Sequence, residues 1–147
     1  MDQDKYEKMK RRAMASKQRA YQRSLANQRS KPNYVMMDCL KEIRFSNKSG
    51  SHVGCVRISS ANTLKHELRK FEICYALAKK GHKFITEAIF EPSGKRADVV
   101  CLDKAVIYEV LCSETKEQCL AKTESYPDIF EIRTVDANVE WNNKLIE

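Results

Sequence analysis

The sequence predicts one α/β domain, its elements ordered α-β-β-β-α-β, behind a basic N-terminal extension. Three observations lead there. A helical apolar period closed by a glycine fills residues 62–80, three short strand-like runs follow at hairpin spacing, and a capped helix then returns to one last strand. The 147 residues hold about one domain's worth of core.

Composition narrows the class. The hydrophobic fraction of 42% and charged fraction of 32% are those of a globular chain. The polar start Met1-Asp2-Gln3-Asp4 does not read as a signal peptide, and no apolar run approaches the roughly 18 residues of a membrane span, so no membrane partner is expected. The six cysteines, at 39, 55, 74, 101, 112 and 119, form no C-x-x-C pair and several fall in apolar segments. They read as reduced, buried small hydrophobes of a cytoplasmic protein.

The net charge of +7 is concentrated at one end. Residues 1–31 carry ten Lys or Arg against three acids, leaving seventeen of each sign in the rest. Residues 1–33 therefore form a basic arm, helical or disordered. Its Lys, Arg, Gln and Ala favour helix, but its few apolar residues make no wide stripe, so a helix is expected only against a partner. Such an arm is either a solvated tail or a row of phosphate contacts, with Lys10, Arg11, Arg12, Lys17, Arg19 and Arg23 as the nucleic-acid-binding candidates. Pro32 and Asn33 punctuate its end.

Residues 34–61 read as an elaboration or loose hairpin turning at Ser46–Ser51. Next, Leu64, Leu68, Phe71, Tyr75 and Ala78 recur at helical spacing as the expected buried stripe, with Gly81 at the C-terminal cap position. Lys83–Phe90, Ala97–Leu102 and Ala105–Cys112 are the strands of an antiparallel meander, since only Pro92-Ser93-Gly94 and Asp103-Lys104 separate them. Ser113 offers an N-cap to a helix over Glu114–Tyr126, and Pro127-Asp128 resets the chain into a strand over Ile129–Val135.

Three acids stand where solvation alone does not explain them. Glu67 lies beside the first helix's apolar stripe, so its carboxylate should face inward and needs a partner: a metal, or Lys70 as a paired core group. Asp98 and Glu109 each interrupt an apolar, β-branched strand. A two-residue hairpin between those strands pairs residues whose numbers add to about 207, as those of Asp98 and Glu109 do. That register makes them cross-strand neighbours, and like charges so close require a proton or a shared cation. Magnesium or manganese suits hard carboxylate oxygens and activates water toward a phosphodiester.

These residues resemble the PD-(D/E)XK, or restriction-endonuclease-like, nuclease superfamily, over roughly residues 62–136. The matching pieces are His66-Glu67-Leu68-Arg69-Lys70, Arg96-Ala97-Asp98-Val99-Val100 and Tyr108-Glu109-Val110-Leu111. The chain is similar to small archaeal and archaeal-virus members whose pattern runs H-E-x-x-K, T-E, R-A-D-V, E-V-L-x-x-E. The resemblance implies a mixed central sheet flanked by helices over residues 62–147. It also implies Mg2+ or Mn2+ held by Asp98, Glu109 and Glu67, and a nuclease acting on DNA, with a homodimer as a candidate assembly. One departure stands out: Leu111 occupies the place of the superfamily's lysine. In some members the following helix supplies that cation. Here Glu114, Gln118, Lys122 and Tyr126 recur every four residues, which makes Lys122 the replacement candidate, Lys70 a second, and Glu114, Gln118 and Tyr126 supporting candidates. Lys95 and Arg96 beside Gly94 are either phosphate contacts or a charged turn.

Other classes fall away. The histidine a zinc-protease helix needs is Lys70, and no glycine-rich phosphate loop exists. Two alternatives stay open: a nucleic-acid-binding module of the same fold that has lost cleavage, motivated by Leu111, and a protein-interaction domain with a disordered basic tail.

Overall fold

A computed structural model describes residues 2–30, 33–44 and 52–147, so the expected turn at Ser46–Ser51 and Pro32 lie outside the described residues. The chain forms two units, Met1–Asn33 and Tyr34–Glu147. No helix among the described residues is long and apolar enough to cross a membrane.

The first unit is one helix, α1, over Gln3–Ser30. Asp2 starts it, its carboxylate accepting the Asp4 N–H at 3.2 Å. The arm was expected to be helical only against a partner. Here the helix forms with every described side chain exposed, as its run of strong helix formers allows without apolar burial. Helical geometry places Lys5, Lys8, Arg12, Arg19 and Arg23 on one face, while Lys10, Arg11 and Lys17 point elsewhere around the axis.

The second unit is built on an open four-stranded sheet ordered β1 (Phe84–Ile89), β2 (Arg96–Cys101), β3 (Val106–Leu111), β4 (Glu131–Asp136). Tight turns make β1–β2–β3 antiparallel. Helix α4 (Lys116–Thr123) carries the chain across so that β4 joins β3 in parallel, giving a mixed sheet. The β2–β3 register pairs Val99 with Tyr108 and Val100 with Ile107, the spacing at which Asp98 comes level with Glu109.

Apolar side chains line both faces of this sheet. Helix α3 (Leu64–Lys79) covers one, packing Ile73, Cys74 and Leu77 onto Val99, Tyr108 and Val110. Helix α2 (Tyr34–Lys41) and the segment after α4 cover the other, through Cys39, Tyr126 and Phe130. Residues 34–61 therefore do more than decorate the core: Cys39 and Ile43 are buried in it. Among the described residues they form no hairpin. Ile43 makes a single bridge to Phe90, and Gly54 and Arg57 donate N–H groups to the Phe84 carbonyl and the Thr86 hydroxyl, covering the edge of β1.

Helix α3 begins one residue after its N-cap, Thr63, whose hydroxyl accepts the His66 N–H. It ends as expected at Gly81, φ +78°, with His82 N–H bonded to Leu77 O and Gly81 N–H to Ala78 O. Its buried face is not the expected one. Leu64, Leu68, Phe71 and Tyr75 are exposed, and Glu67, Arg69 and Lys70 are buried. Each buried charge has its answer. Arg69 donates to the carbonyls of Asp136 and Val139 and stacks on Trp141, tying α3 to the C-terminal segment, and Lys70 pairs with two carboxylates. Helix α4 is also shorter than expected and is capped by Thr115 in place of Ser113, so Glu114 and Tyr126 lie outside it.

Candidate functional site

The site lies where β2 and β3 part. The ladder's described pairs stop at Val99–Tyr108, and beyond them the freed N–H of Val110 is taken by Asp98 Oδ2 at 2.8 Å. This bond ties the Asp98 side chain across to β3, beside Glu109. The two carboxylates stand in mutual electrostatic contact.

Their surroundings drive them apart in proton affinity. Burial raises Asp98, but His66, the Val110 N–H and Lys122 together hold it below the usual carboxylate range. Burial and then the charge of Asp98 push Glu109 up to about 8, against the pull of Lys122 and Tyr126. Glu109 is fully buried between strand and helix and holds its proton more tightly than an ordinary glutamate. The Tyr126 hydroxyl reaches two acceptors, Glu109 Oε1 at 2.8 Å and the Arg96 carbonyl at 2.7 Å. Glu109 Oε2 is buried with no hydrogen-bond partner among the described residues.

Lys122, on the last turn of α4, reaches this oxygen from the solvent side. Its Nζ lies 3.3 Å from Glu109 Oε2 and 3.9 Å from Glu114. The contact with Glu109 is an ion-pair approach that does not meet hydrogen-bond geometry. Burial lowers its proton affinity, but Glu109, Asp98 and Glu114 outweigh this and raise it. Lys122 is therefore a fixed cation at the mouth of the site. Leu111, in the place expected of a lysine, is the last residue of β3.

Glu67 lies close by in a different role. Its carboxylate accepts from Lys70 at 2.6 Å, Asn62 Nδ2 at 2.9 Å and the Ser59 N–H at 3.1 Å, with His66 Nδ1 at 3.1 Å. Burial raises its proton affinity and these partners lower it below the ordinary value. With four partners around its two oxygens it is poorly placed as the third metal ligand expected from the sequence. Lys70 Nζ continues the network to Glu87 Oε1 at 2.8 Å. Lys70 is thus a completely buried cation between two acids, pushed down by burial and up, on balance, by both partners. Its described contacts are with Glu67 and Glu87.

Two neighbours were not singled out from the sequence. His66 stands between Glu67 and Asp98, with Nε2 3.4 Å from Asp98 Oδ2. Burial lowers its proton affinity, and the two carboxylates raise it above the usual histidine range. Glu87 is an acid in a strand whose other residues are apolar or β-branched, the signal that marked Asp98 and Glu109. Its backbone is left-handed, φ +53°, a strained conformation for glutamate that accompanies its carboxylate's contact with Lys70.

The remaining candidates fall on either side. Tyr126 touches the site. Arg96 is on the rim, 3.6 Å from Glu87 Oε2. Glu114 shares Lys122. Gln118 completes a capping box, its side-chain oxygen accepting the Thr115 N–H, and it is exposed. The α1 cations belong to the other unit.

Among the described residues no three His, Cys, Asp or Glu side chains gather as a metal cage. Magnesium needs less: one or two carboxylates, with waters and substrate oxygens completing the shell. Asp98 and Glu109 Oε2, which has no hydrogen-bond partner among the described residues but Lys122 Nζ 3.3 Å away, supply two hard oxygens at one place. The residues fit on that basis.

Comparison with protein-family models, with curated proteins and with solved structures finds no match, so a reading of this site rests on its own geometry.

Two outcomes follow for the isolated protein. Lys70→Met leaves Glu67 and Glu87 buried without their cation, and urea unfolding should show a loss of about 3–5 kcal/mol; a loss under 1 kcal/mol would show that the pair is not buried as described. Glu109 binds its proton more tightly folded than unfolded, so its contribution to stability is present at low pH and is lost as pH rises from about 4.5 toward about 8. Glu109→Gln removes that loss. Its melting temperature relative to the unsubstituted protein should rise between pH 5 and pH 9, by the equivalent of a few kcal/mol. A constant or shrinking difference would mean that Glu109 ionises normally.

Proposed function

We propose that this chain is a divalent-metal-dependent nuclease of the restriction-endonuclease-like fold, hydrolysing phosphodiester bonds in DNA. The observation that carries the reading is the meeting of Asp98 and Glu109 at the parting of β2 and β3, with one buried carboxylate oxygen lacking a donor. The order α3-β1-β2-β3-α4-β4 and the mixed sheet support it, as does the cation beside the acids.

Asp98 and Glu109 would hold Mg2+ or Mn2+, which when bound polarises a phosphate oxygen and acidifies a water. The protein's own residues do the rest. His66 and the Val110 N–H fix the Asp98 carboxylate, and Tyr126 fixes one oxygen of Glu109, so both ligands are positioned before substrate arrives. The Glu67–Lys70–Glu87 network braces His66 and the start of α3. Lys122, whose proton affinity is raised by its acidic surroundings, is suited to donate to a phosphate oxygen and to stabilise developing negative charge, not to act as a base. It takes the role that Leu111 leaves open.

The α1 cation row fits the same substrate. Lys5 through Arg23 span about 27 Å of helix at 1.5 Å per residue, long enough to follow several phosphates.

Asp98→Asn should lower Mg2+-dependent cleavage of labelled DNA by about 10²–10³-fold with an unchanged circular dichroism spectrum. Lys122→Ala should lower it while leaving DNA binding nearly intact. Cleavage that survives Asp98→Asn removes the assignment. If the unsubstituted protein binds DNA yet yields no product with either metal, the binding module without cleavage becomes the better reading, as Leu111 suggests. Replacing Lys5, Lys8, Arg12, Arg19 and Arg23 with Gln should weaken DNA binding and flatten its salt dependence, by up to about 0.9 in log–log slope for each phosphate no longer neutralised. An unchanged slope would take α1 off the phosphates.

A further inference from the structure

Along the edge of β1 lies a polar cavity that the acid pair does not use. It measures about 580 Å³, within the range of small-ligand pockets, and is walled by the segment 52–60 and by the facing ends of β1 and β2. Arg57 and Arg96 line it, together with Ser59 and Ser60. Arg57 is exposed and enters no ion pair among the described residues. Arg96 is lightly engaged: its side chain is 56% exposed, and its Nη1 stands 3.6 Å from Glu87 Oε2. The acid on the wall is already answered from behind, since Lys70 holds the other Glu87 oxygen at 2.8 Å. Three cations, Lys70, Arg57 and Arg96, thus stand against two acids, Glu67 and Glu87.

Hydrogen bonds fix the frame that carries Arg57. Gly54 N–H donates to Phe84 O at 2.9 Å and Arg57 N–H to Thr86 Oγ1 at 2.8 Å, while the Thr86 hydroxyl donates to Cys55 O at 3.0 Å. Two residues on, Ser59 N–H is held by Glu67 Oε2 at 3.1 Å. The main chain around Arg57 is therefore anchored to β1 and α3 before anything binds, which lowers the ordering cost of a ligand.

We propose that this cavity binds a phosphate group of a nucleotide unit, with Arg57 and Arg96 as its principal donors and the serine hydroxyls beside them. Three features select it. The first is donor geometry: guanidinium groups give paired hydrogen bonds to phosphate oxygens, and two of them arriving from separate elements surround a tetrahedral anion. The second is size. The cavity exceeds a lone phosphate, and Ile58, 81% exposed, and Ile89 offer apolar surface to the sugar or base attached to it. The third is position. Arg96 precedes Asp98 by two residues in β2, about 7 Å along the strand, so a phosphate held here is a neighbour of the one presented to Asp98 and Glu109. Assigning that phosphate to a nucleic-acid substrate rests on the nuclease reading; the anion chemistry of the cavity does not.

Amide NMR spectra of the isotopically labelled full chain in EDTA, titrated with thymidine 5′-monophosphate to about 10 mM, test this without cleavage. The expected result is saturable shifts at Arg57, Ser59 and Ser60 that thymidine does not produce. Arg57→Gln should weaken binding about tenfold, and Arg57→Lys, which keeps the charge but loses the fork, by less. The circular dichroism melt should not change, because Arg57 is on the surface. A short DNA strand then identifies the source of the phosphate. Tighter binding when the strand end is phosphorylated, lost in Arg57→Gln, assigns the end; binding indifferent to the end but weakened by Arg57→Gln assigns an internal phosphate. No shift at these amides, equal shifts with thymidine, or indifference to Arg57→Gln would each overturn the proposal. The two readings fail separately: a cavity that binds in a protein that cuts no DNA with Mg2+ or Mn2+ removes the nuclease alone, and cleavage beside a silent cavity removes the phosphate site alone.

Discussion

Everything at the centre of this structure follows from placing two carboxylates where adjacent strands stop pairing. An ordinary antiparallel ladder satisfies its backbone groups strand to strand. At the end of β2 and β3 the Asp98 side chain takes over one of those positions by accepting the Val110 N–H. That bond brings one acid beside another and out of bulk water, where two full negative charges are mutually unfavourable. The protein answers with a raised proton affinity at Glu109, a hydroxyl from Tyr126 and the charge of Lys122. One oxygen still lacks a hydrogen-bond partner among the described residues, which is the ground on which we propose the pair as a cation site.

The rest of α3 serves this arrangement. Its first turn supplies His66, which touches both Asp98 and Glu67, and its second supplies Lys70, which neutralises Glu67 and Glu87 beneath. Buried ion pairs contribute little net stability over apolar packing, yet breaking one costs much. A network of this kind therefore secures geometry more than stability. The left-handed backbone at Glu87 fits the same pattern of local strain held by surrounding contacts.

Much of this was legible in the sequence because strands declare themselves by composition and turns by length. Asp103-Lys104 leaves little freedom in how β2 and β3 pair, so the register relating Asp98 to Glu109 could be read from residue numbers alone. Helix faces were not legible in the same way. Leu64, Leu68, Phe71 and Tyr75 make the better apolar period, but the sheet receives the face whose charges find partners on other strands, and those partners are invisible to local periodicity. Gln118 shows the same limit: four-residue spacing suggested a site face, and the contacts it makes are those of a capping box, a pattern that Thr115-x-x-Gln118 also carries. Glu87 was within reach, since an acid amid Phe84-Ile85-Thr86 and Ala88-Ile89 carries the same signal as the other two.

The central claim is that Asp98 and Glu109 form a shared cation site. A crystal soaked in Mn2+, with data collected at the manganese absorption edge, examines it directly. The expected map has an anomalous peak between the two carboxylates, lost in Asp98→Asn. A well-ordered site with no peak there, or manganese bound only elsewhere, would contradict it.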